Sequence, residues 1–397
     1  MSFISEKKEG ALLNTVGIVT EYNPFHNGHL YQLNEAKKRT GCDYSVAVMS
    51  GNFVQRGEPA LFDKFTRARL AVECGVDLVL EIPPASAIAS AEYFAQGSIA
   101  VLEATGIVDT LCFGSETGNL RQLKQLARHL LAPETQEKIR LEMQEGIPVY
   151  QAMQKVLPDY PSSPNDILGI EYLKALERQK SRIKPYAIQR IGTGYHERKA
   201  SGSIASATAI RELLAKGEEA DSLLPYDHLP CEAASEKELE TALLYALRIK
   251  TPEQLKRYAD VSEGLENRIY EVCRKYDSIE EIILAVKSKR YSYTRIRRIL
   301  YNIFLDIPRE MRERKPEFIR VLGFNRKGQA LLNRMRKTAK LPVINGYAKR
   351  DFARYETAQL DKKENDLYAL SLPGRKVFEG GLRAIIVPEK PFCHTKE

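Results

Sequence analysis

The sequence predicts an α/β fold: a parallel sheet covered by helices on both faces, then a basic, mainly helical region and a small mixed C-terminal section. Three observations carry this. Over roughly the first 215 residues, short β-rich runs alternate with helical patterns, as βαβ units require. Stretches such as Leu78-Val79-Leu80 are continuously apolar, which suits strands buried on both faces. After Gly217 the apolar residues fall at three- and four-residue spacings instead, as in Leu243, Leu244 and Leu247 or Ile296, Ile299, Leu300 and Ile303.

In chain order, residues 1–14 carry Glu6, Lys7, Lys8 and Glu9 where a signal peptide needs an apolar stretch, and are expected to be a loose lead-in. Residues 15–217 are expected to form the catalytic domain. Its predicted strands lie at 16–21, 44–49, 77–82, 110–113 and 185–191, and its predicted helices at 28–39, 63–74, 91–104 and 119–131, with a further helix starting near Ser206. The polar, proline-bearing stretch 218–238 reads as a linker, and 239–397 as the basic region. The fold of its last 80 or so residues is not legible.

Composition bounds the class. The 397 residues are 43% hydrophobic and 28% charged, as in ordinary soluble proteins. No run approaches the roughly 18 apolar residues of a membrane helix, so a cytoplasmic location is expected. Six scattered cysteines show no zinc spacing and are expected to be free thiols. The net charge of +8 is local in origin: between Thr251 and Arg350 stand 24 Lys or Arg against 12 Asp or Glu. That surplus exceeds the total, and points to a polyanion partner for this region.

The most specific segment follows the first strand: Gly17-Ile18-Val19-Thr20-Glu21-Tyr22-Asn23-Pro24-Phe25-His26-Asn27-Gly28-His29-Leu30. Pro24 stops the strand, because it lacks the donor a ladder needs. Gly28 opens a helix with an apolar face at Leu30, Leu33 and Ala36. The N–H groups and dipole at such a start attract phosphate, and the carboxyl end of the first parallel strand is where open α/β sheets bind ligands. His26 and His29, three apart, can face the same anion and donate to charge developing on it. Gly28 removes a side chain that would hold a nucleotide off the backbone. The spacing alone also suits two structural histidines, or zinc had a third ligand been evident.

His26-Asn27-Gly28-His29 resembles the HxGH signature of the nucleotidyltransferase superfamily, whose members bind ATP and direct attack on its α-phosphorus. The resemblance implies a Rossmann-like nucleotidyltransferase domain. It also implies a second signature, offered here by Ser206-Ala207-Thr208-Ala209-Ile210-Arg211. Its hydroxyls suit an N-cap that meets phosphate, and Arg211 a charge clamp; an ordinary N-cap is the other reading. Ala207 separates Ser206 from Thr208, so either hydroxyl is a candidate.

The longer string 21–29, with Met49-Ser50-Gly51-Asn52-Phe53-Val54-Gln55-Arg56-Gly57-Glu58-Pro59, Phe113-Gly114-Ser115-Glu116, the block 163–172 and Arg190-Ile191-Gly192-Thr193-Gly194-Tyr195-His196, resembles the bacterial tRNA(Met) cytidine acetate ligases. That family would turn ATP and acetate into acetyl-adenylate and pyrophosphate, then pass the acetyl group to N4 of the wobble cytidine of elongator tRNA(Met). The resemblance implies an ATP site around residues 19–32 (Val19, Thr20, Tyr22, Asn23, Pro24, Phe25, His26, Gly28 and His29), with Gly114, Asn165, Arg190 and Ile191. Read physically, Gly114 either admits the nucleotide to a strand end or makes a turn. Asn165 either bonds the nucleotide or caps a helix, and Arg190 either meets phosphate or is solvated. Magnesium is expected on the phosphates, although no carboxylate set stands out as its ligands. No general base is evident, and the role of His196 stays open.

Lys287, Lys289, Arg290, Arg295, Arg297 and Arg298 interleave with Tyr291, Tyr293 and Tyr301. Such cations would position tRNA phosphates and such tyrosines could stack on bases, unless they form a solvated helix face over a tyrosine-bearing core. No membrane or protein partner is implied. The competing functions are an adenylyltransferase for a small cofactor precursor and a non-catalytic nucleotide- or RNA-binding regulator. An aminoacyl-tRNA synthetase is disfavoured by the lack of a KMSKS-like loop.

Overall fold

The computed structural model describes residues 14–190, 204–227, 229, 233–374 and 383–388. Its strands are β1 (Thr15–Thr20), β2 (Tyr44–Met49), β3 (Phe53–Val54), β4 (Glu58–Pro59), β5 (Leu78–Glu81), β6 (Thr110–Ser115), β7 (Lys184–Gln189), β8 (Ile319–Phe324), β9 (Val343–Ile344) and β10 (Ile385–Ile386). The first half holds helices α1 (Asn27–Thr40), α2 (Lys64–Glu73), α3 (Pro84–Ala87), α4 (Ala91–Thr105), α5 (Leu120–Leu131), α6 (Pro133–Gln144), α7 (Val149–Val156), α8 (Pro164–Arg178) and α9 (Ala207–Ala215). The five predicted parallel strands and four predicted helices are all present, with ends shifted by one or two residues.

The main sheet runs β10-β8-β5-β2-β1-β6-β7, with β9 beside β8. From β5 to β7 every pair is parallel. The chain builds outward from β1 through β2 to β5, then returns to lay β6 on the other flank of β1. The crevice at the carboxyl ends of β1 and β6 is therefore the switch point where such sheets bind ligands. β1 and β2 are buried almost throughout, which is why their sequences are apolar without alternation. Gly41 ends α1 in the left-handed region at φ 65°, a conformation cheap only for glycine.

The second half holds α10 (Glu236–Arg248), α11 (Pro252–Leu255), α12 (Leu265–Val272), α13 (Ile279–Val286), α14 (Tyr293–Phe304), α15 (Arg309–Arg312), α16 (Arg326–Thr338), α17 (Lys349–Arg354) and α18 (Glu356–Tyr368). Its helices up to α14 close around their own core of Leu239, Leu243, Ile282, Ile296 and Leu300. The β3–β4 hairpin reaches that core through Phe53, whose ring lies 5.8 Å from Tyr301 and 6.0 Å from Tyr368.

The mixed C-terminal section joins the main sheet: β8 pairs antiparallel with β5 and carries β9 and β10 at the sheet edge, beside the parallel strands of the first half. All six residues of β8 are buried, so this apolar run needs the sheet for cover. The stretch read as a linker is also packed in part: Ala220, Leu224 and Tyr226 are buried against the first domain. Cys42, Cys112 and Cys273 are free and buried, whereas Cys74 is disulfide-bonded, against the expectation for it.

A buried polar knot ties the two halves together. Lys64, fully buried on α2, pairs with Glu81 at 2.7 Å and with Asp361 of α18. Glu364 accepts from Phe53 N–H at 3.0 Å, and Asn52 donates to Asn365 at 2.8 Å. Among the described residues Glu81, Asp361 and Glu364 are the only carboxylate group spaced as metal ligands are, but Lys64 supplies the cation they share. Burial pushes the Glu81 carboxyl up to about 7 and that of Glu364 up to about 8, from 4.5. Raised carboxyls stabilise the fold below their unfolded value, and that contribution is lost as pH rises through 7 to 8. Lys64→Met should destabilise by about 3–5 kcal/mol at pH 7.5 and by less at pH 5.5, where the carboxyls take up protons. Urea unfolding at both pH values measures this; an equal loss at both would contradict it.

Candidate active site

The turn after β1 is held at alternate carbonyls by three distant donors. Arg67 on α2 reaches Glu21 O at 2.5 Å, Arg211 on α9 reaches Asn23 O at 2.9 Å, and the Tyr226 hydroxyl reaches Phe25 O at 3.1 Å. The Asn23 side chain accepts from Leu61 N–H at 2.7 Å, and its bond to Pro24 is cis. Tyr22 adopts φ 46°, a left-handed conformation costing a bulky residue about 1–2 kcal/mol, which the surrounding contacts overcome.

This turn delivers His26 as the N-cap of α1. Its Nδ1 accepts from Gly28 N–H at 3.0 Å, so the proton of the neutral ring resides on Nε2. The His26 and His29 rings stack with centroids 3.8 Å apart, and His29 meets the Tyr22 ring edge-on at 4.9 Å. Burial, then the Arg190 charge, pushes His26 down to about 3 from 6.5. Burial lowers His29 strongly as well, with His26 and Arg190 adding to it. Both imidazoles are therefore neutral donors at physiological pH. Gly28 has a reason beyond nucleotide access, since a Cβ there would lie 2.8 Å from His26 Cε1.

A cavity of about 210 Å³ opens above this pair. Of the predicted ATP set, His26, Gly28, His29, Gly114, Arg190 and Ser206 line it, joined by Gln189 and by the apolar Ile188, Ile204 and Ala205. Arg190 Nε and His29 Nδ1 are buried without hydrogen-bond partners. Among the described residues that line it none is a carboxylate, so this part of the wall is neutral or cationic, as a polyphosphate requires.

The other predicted residues stand behind this wall or elsewhere. Val19 and Thr20 lie in or at the end of β1, while Tyr22, Asn23, Pro24 and Phe25 form the turn, with Tyr22 and Phe25 packed in the core. Ser206 is the N-cap of α9, accepting from Ala209 N–H at 3.2 Å, and Thr208 lies one residue inside that helix, off the cavity wall. Arg211 does not line the cavity; its charge is engaged by Glu58 at 3.0 Å. Asn165 donates to Glu116 at 2.6 Å, and Glu116 in turn accepts from Asp166 N–H at the start of α8. Ile191 and His196 fall outside the described residues.

In the basic stretch, Lys287 and Lys289 are exposed, and Arg290 is exposed but paired with Glu263. Arg295 stacks on Tyr291 at 4.8 Å and pairs with Asp260 at 3.9 Å, and Arg298 is half-buried beside it. Arg297 is a structural bridge, held by Glu58 at 2.9 Å and by Glu236. Sequence reasoning missed Glu58 and Tyr226. Glu58 lay inside a matched block, 49–59, so a signal existed; Tyr226, in a presumed linker, offered none.

Two outcomes follow from the cap. Gly28→Ala should push the His26 ring off the helix start and lower adenylate formation by about a hundredfold with the fold retained, as measured by acetate-dependent pyrophosphate exchange. Between about pH 3 and 6.5 the unfolded chain binds a proton at His26 that the native state excludes. Wild-type stability therefore drops as pH is lowered through that window, by up to about 1.4 kcal/mol per unit. His26→Asn removes this slope, so its stability gap to wild type should differ between pH 7 and 5.5, with wild type relatively weaker at 5.5.

A family model described as HIGH Nucleotidyl Transferase matches residues 13–379. A tRNA(Met) cytidine acetate ligase of Alkaliphilus metalliredigens is 38% identical over 93% of this chain and 96% of its own length. One of Clostridium perfringens is 37% identical over 92% of this chain and 97% of its own. The crystal structure of Thermotoga maritima TmcAL bound with alpha-thio ATP matches with a TM-score of 0.85 and 33% identity, covering 94% of this chain and 100% of that one. With relatives this similar along nearly its whole length, the chain belongs to the tRNA(Met) cytidine acetate ligase family, within the HIGH nucleotidyl transferases.

Proposed function

We propose that this protein activates acetate with ATP and transfers the acetyl group to N4 of the wobble cytidine of elongator tRNA(Met), in the cytoplasm. The observation that carries the ATP half is the stacked neutral imidazole pair under Arg190 at the switch point of the sheet. In the first step an acetate oxygen bonds to the α-phosphorus while the bond to the β-phosphate oxygen breaks, releasing pyrophosphate. His26 Nε2–H and the Arg190 guanidinium donate to the phosphate oxygens as charge builds there. Neutral imidazoles suit this task, because they donate without taking a proton from the nucleotide at pH 7. Ile188, Ile204 and Ala205 present apolar surface that helps keep water from the acyl-adenylate. In the second step the cytidine amine attacks the acetyl carbon, AMP leaves, and the amine proton passes to solvent.

Magnesium finds no carboxylate ligands among the described residues lining the cavity, so those residues do not fit a resident ion. We assign it to the incoming nucleotide, as part of the substrate. Glu58 supports the link between the two steps: it bonds Arg211, which holds the ATP-site turn, and Arg297 on α14 of the basic half.

The test is nucleoside mass analysis of unmodified tRNA(Met) incubated with protein, ATP, magnesium and labelled acetate. Labelled acetylcytidine is expected only with ATP, and His29→Ala should lower its formation by about 10²–10³-fold. Adenylate appearing on another small acceptor, with no labelled cytidine, would favour a cofactor-precursor adenylyltransferase instead.

A further inference from the structure

Beyond Lys287 and Lys289, which are exposed in the stretch 287–298, α5 carries a further set of cations free for RNA. In that stretch Arg290, Arg295 and Arg297 are all engaged by carboxylates. On α5, by contrast, Arg121, Lys124 and Arg128 make no ion pair among the described residues, and neither does Lys180 in the turn between α8 and β7. Spacings of three and four place the three α5 cations on one side of the helix, over about 10 Å of its axis. The opposite side, Leu123, Leu126 and Leu130, is buried against the domain.

These cations line a continuous track. A shallow depression formed by Arg121, Lys124 and Arg128 shares the latter two with a second, which adds Lys180; Lys180 then borders a broad groove that includes Arg182 and Lys315. Glu103, Glu177 and Glu313 are the carboxylates along it. One end lies near the ATP cavity. Gly118, just before α5, packs on Gln189, with a Cβ position 3.1 Å from it, and Gln189 lines that cavity. None of the large exposed apolar side chains borders the track, so it lacks the insertion that a membrane surface would use.

We propose that α5 and the α8–β7 turn bind the sugar-phosphate backbone of the tRNA stem that carries the base to be acetylated. The assignment rests on the ligase reading above. Unpaired like charges repel one another, and a polyanion that neutralises them releases its own counterions. The catalytic domain would thus hold the stem while its site takes the base.

The test is the variant Arg121→Glu/Lys124→Glu/Arg128→Glu, whose changes fall on a solvent-facing side. The expected result is a rise of about tenfold or more in KM for tRNA, and a salt dependence of tRNA binding shallower by about 2–3 in log–log slope. Acetate-dependent pyrophosphate exchange without tRNA, retained at the wild-type level, shows that the ATP site is intact. Unchanged KM and slope would overturn the proposal, as would polyglutamate or anionic vesicles binding as tightly as RNA. If even wild type acetylates no tRNA, the ligase reading fails separately, and anisotropy with an RNA hairpin still decides the track: binding lost in the variant supports it, equal binding refutes it.

Discussion

The site depends on three hydrogen bonds to alternate carbonyls of one turn. Arg67, Arg211 and Tyr226 come from separate segments of the chain and hold Glu21, Asn23 and Phe25. A turn carrying a left-handed tyrosine would not keep its shape unaided, because its own backbone conformation is unfavourable. Arg67 does more than hold Glu21. Buried on α2, it also donates to the carbonyls of Phe62, Ser50 and Gly51, so the ends of β1 and β2 are fixed by one guanidinium. The imidazoles inherit their position from this frame.

Electrostatics then determine what the frame can bind. Both histidines are neutral because they are buried beside Arg190, and a second charge there would cost desolvation as well as repulsion. Among its described residues the cavity offers donors of known direction and the Arg190 cation, with no carboxylate beside it on the wall. The remaining cations of this neighbourhood are neutralised: Arg211 and Arg297 share Glu58, and Arg297 also meets Glu236, which accepts from Tyr301 at 2.7 Å. Their charges serve the joint between halves, and Arg211 also holds the turn that carries His26.

Much of this was legible in the sequence, and the reasons for the exceptions are physical. Apolar runs and helical periodicity are local signals, so β1, β2, β5, β6 and β7 and the helices between them could be read directly. The switch point and the HxGH turn followed from their order. The antiparallel pairing of β8 with β5 could not be read, since it joins segments over 200 residues apart and no local pattern specifies it. The same holds for Tyr226, whose partner lies 201 residues away. In the basic region, counting charges located a surplus but could not show which cations carboxylates had already engaged. Arg297 looked like an RNA contact and is an internal bridge; Arg121 and Arg128, in an unremarkable amphipathic helix, drew no notice.

The central claim is that His26 is held as a neutral Nε2–H donor by its own helix cap. Nitrogen-15 NMR of the histidine side chains, with His26 assigned by its Asn variant, measures this directly. The expected spectrum at pH 7 shows a protonated Nε2 and an unprotonated, hydrogen-bonded Nδ1, unchanged on acidification to pH 5 and with Nε2 shifting when ATP binds. An imidazolium at pH 7, or the opposite tautomer, would contradict the account.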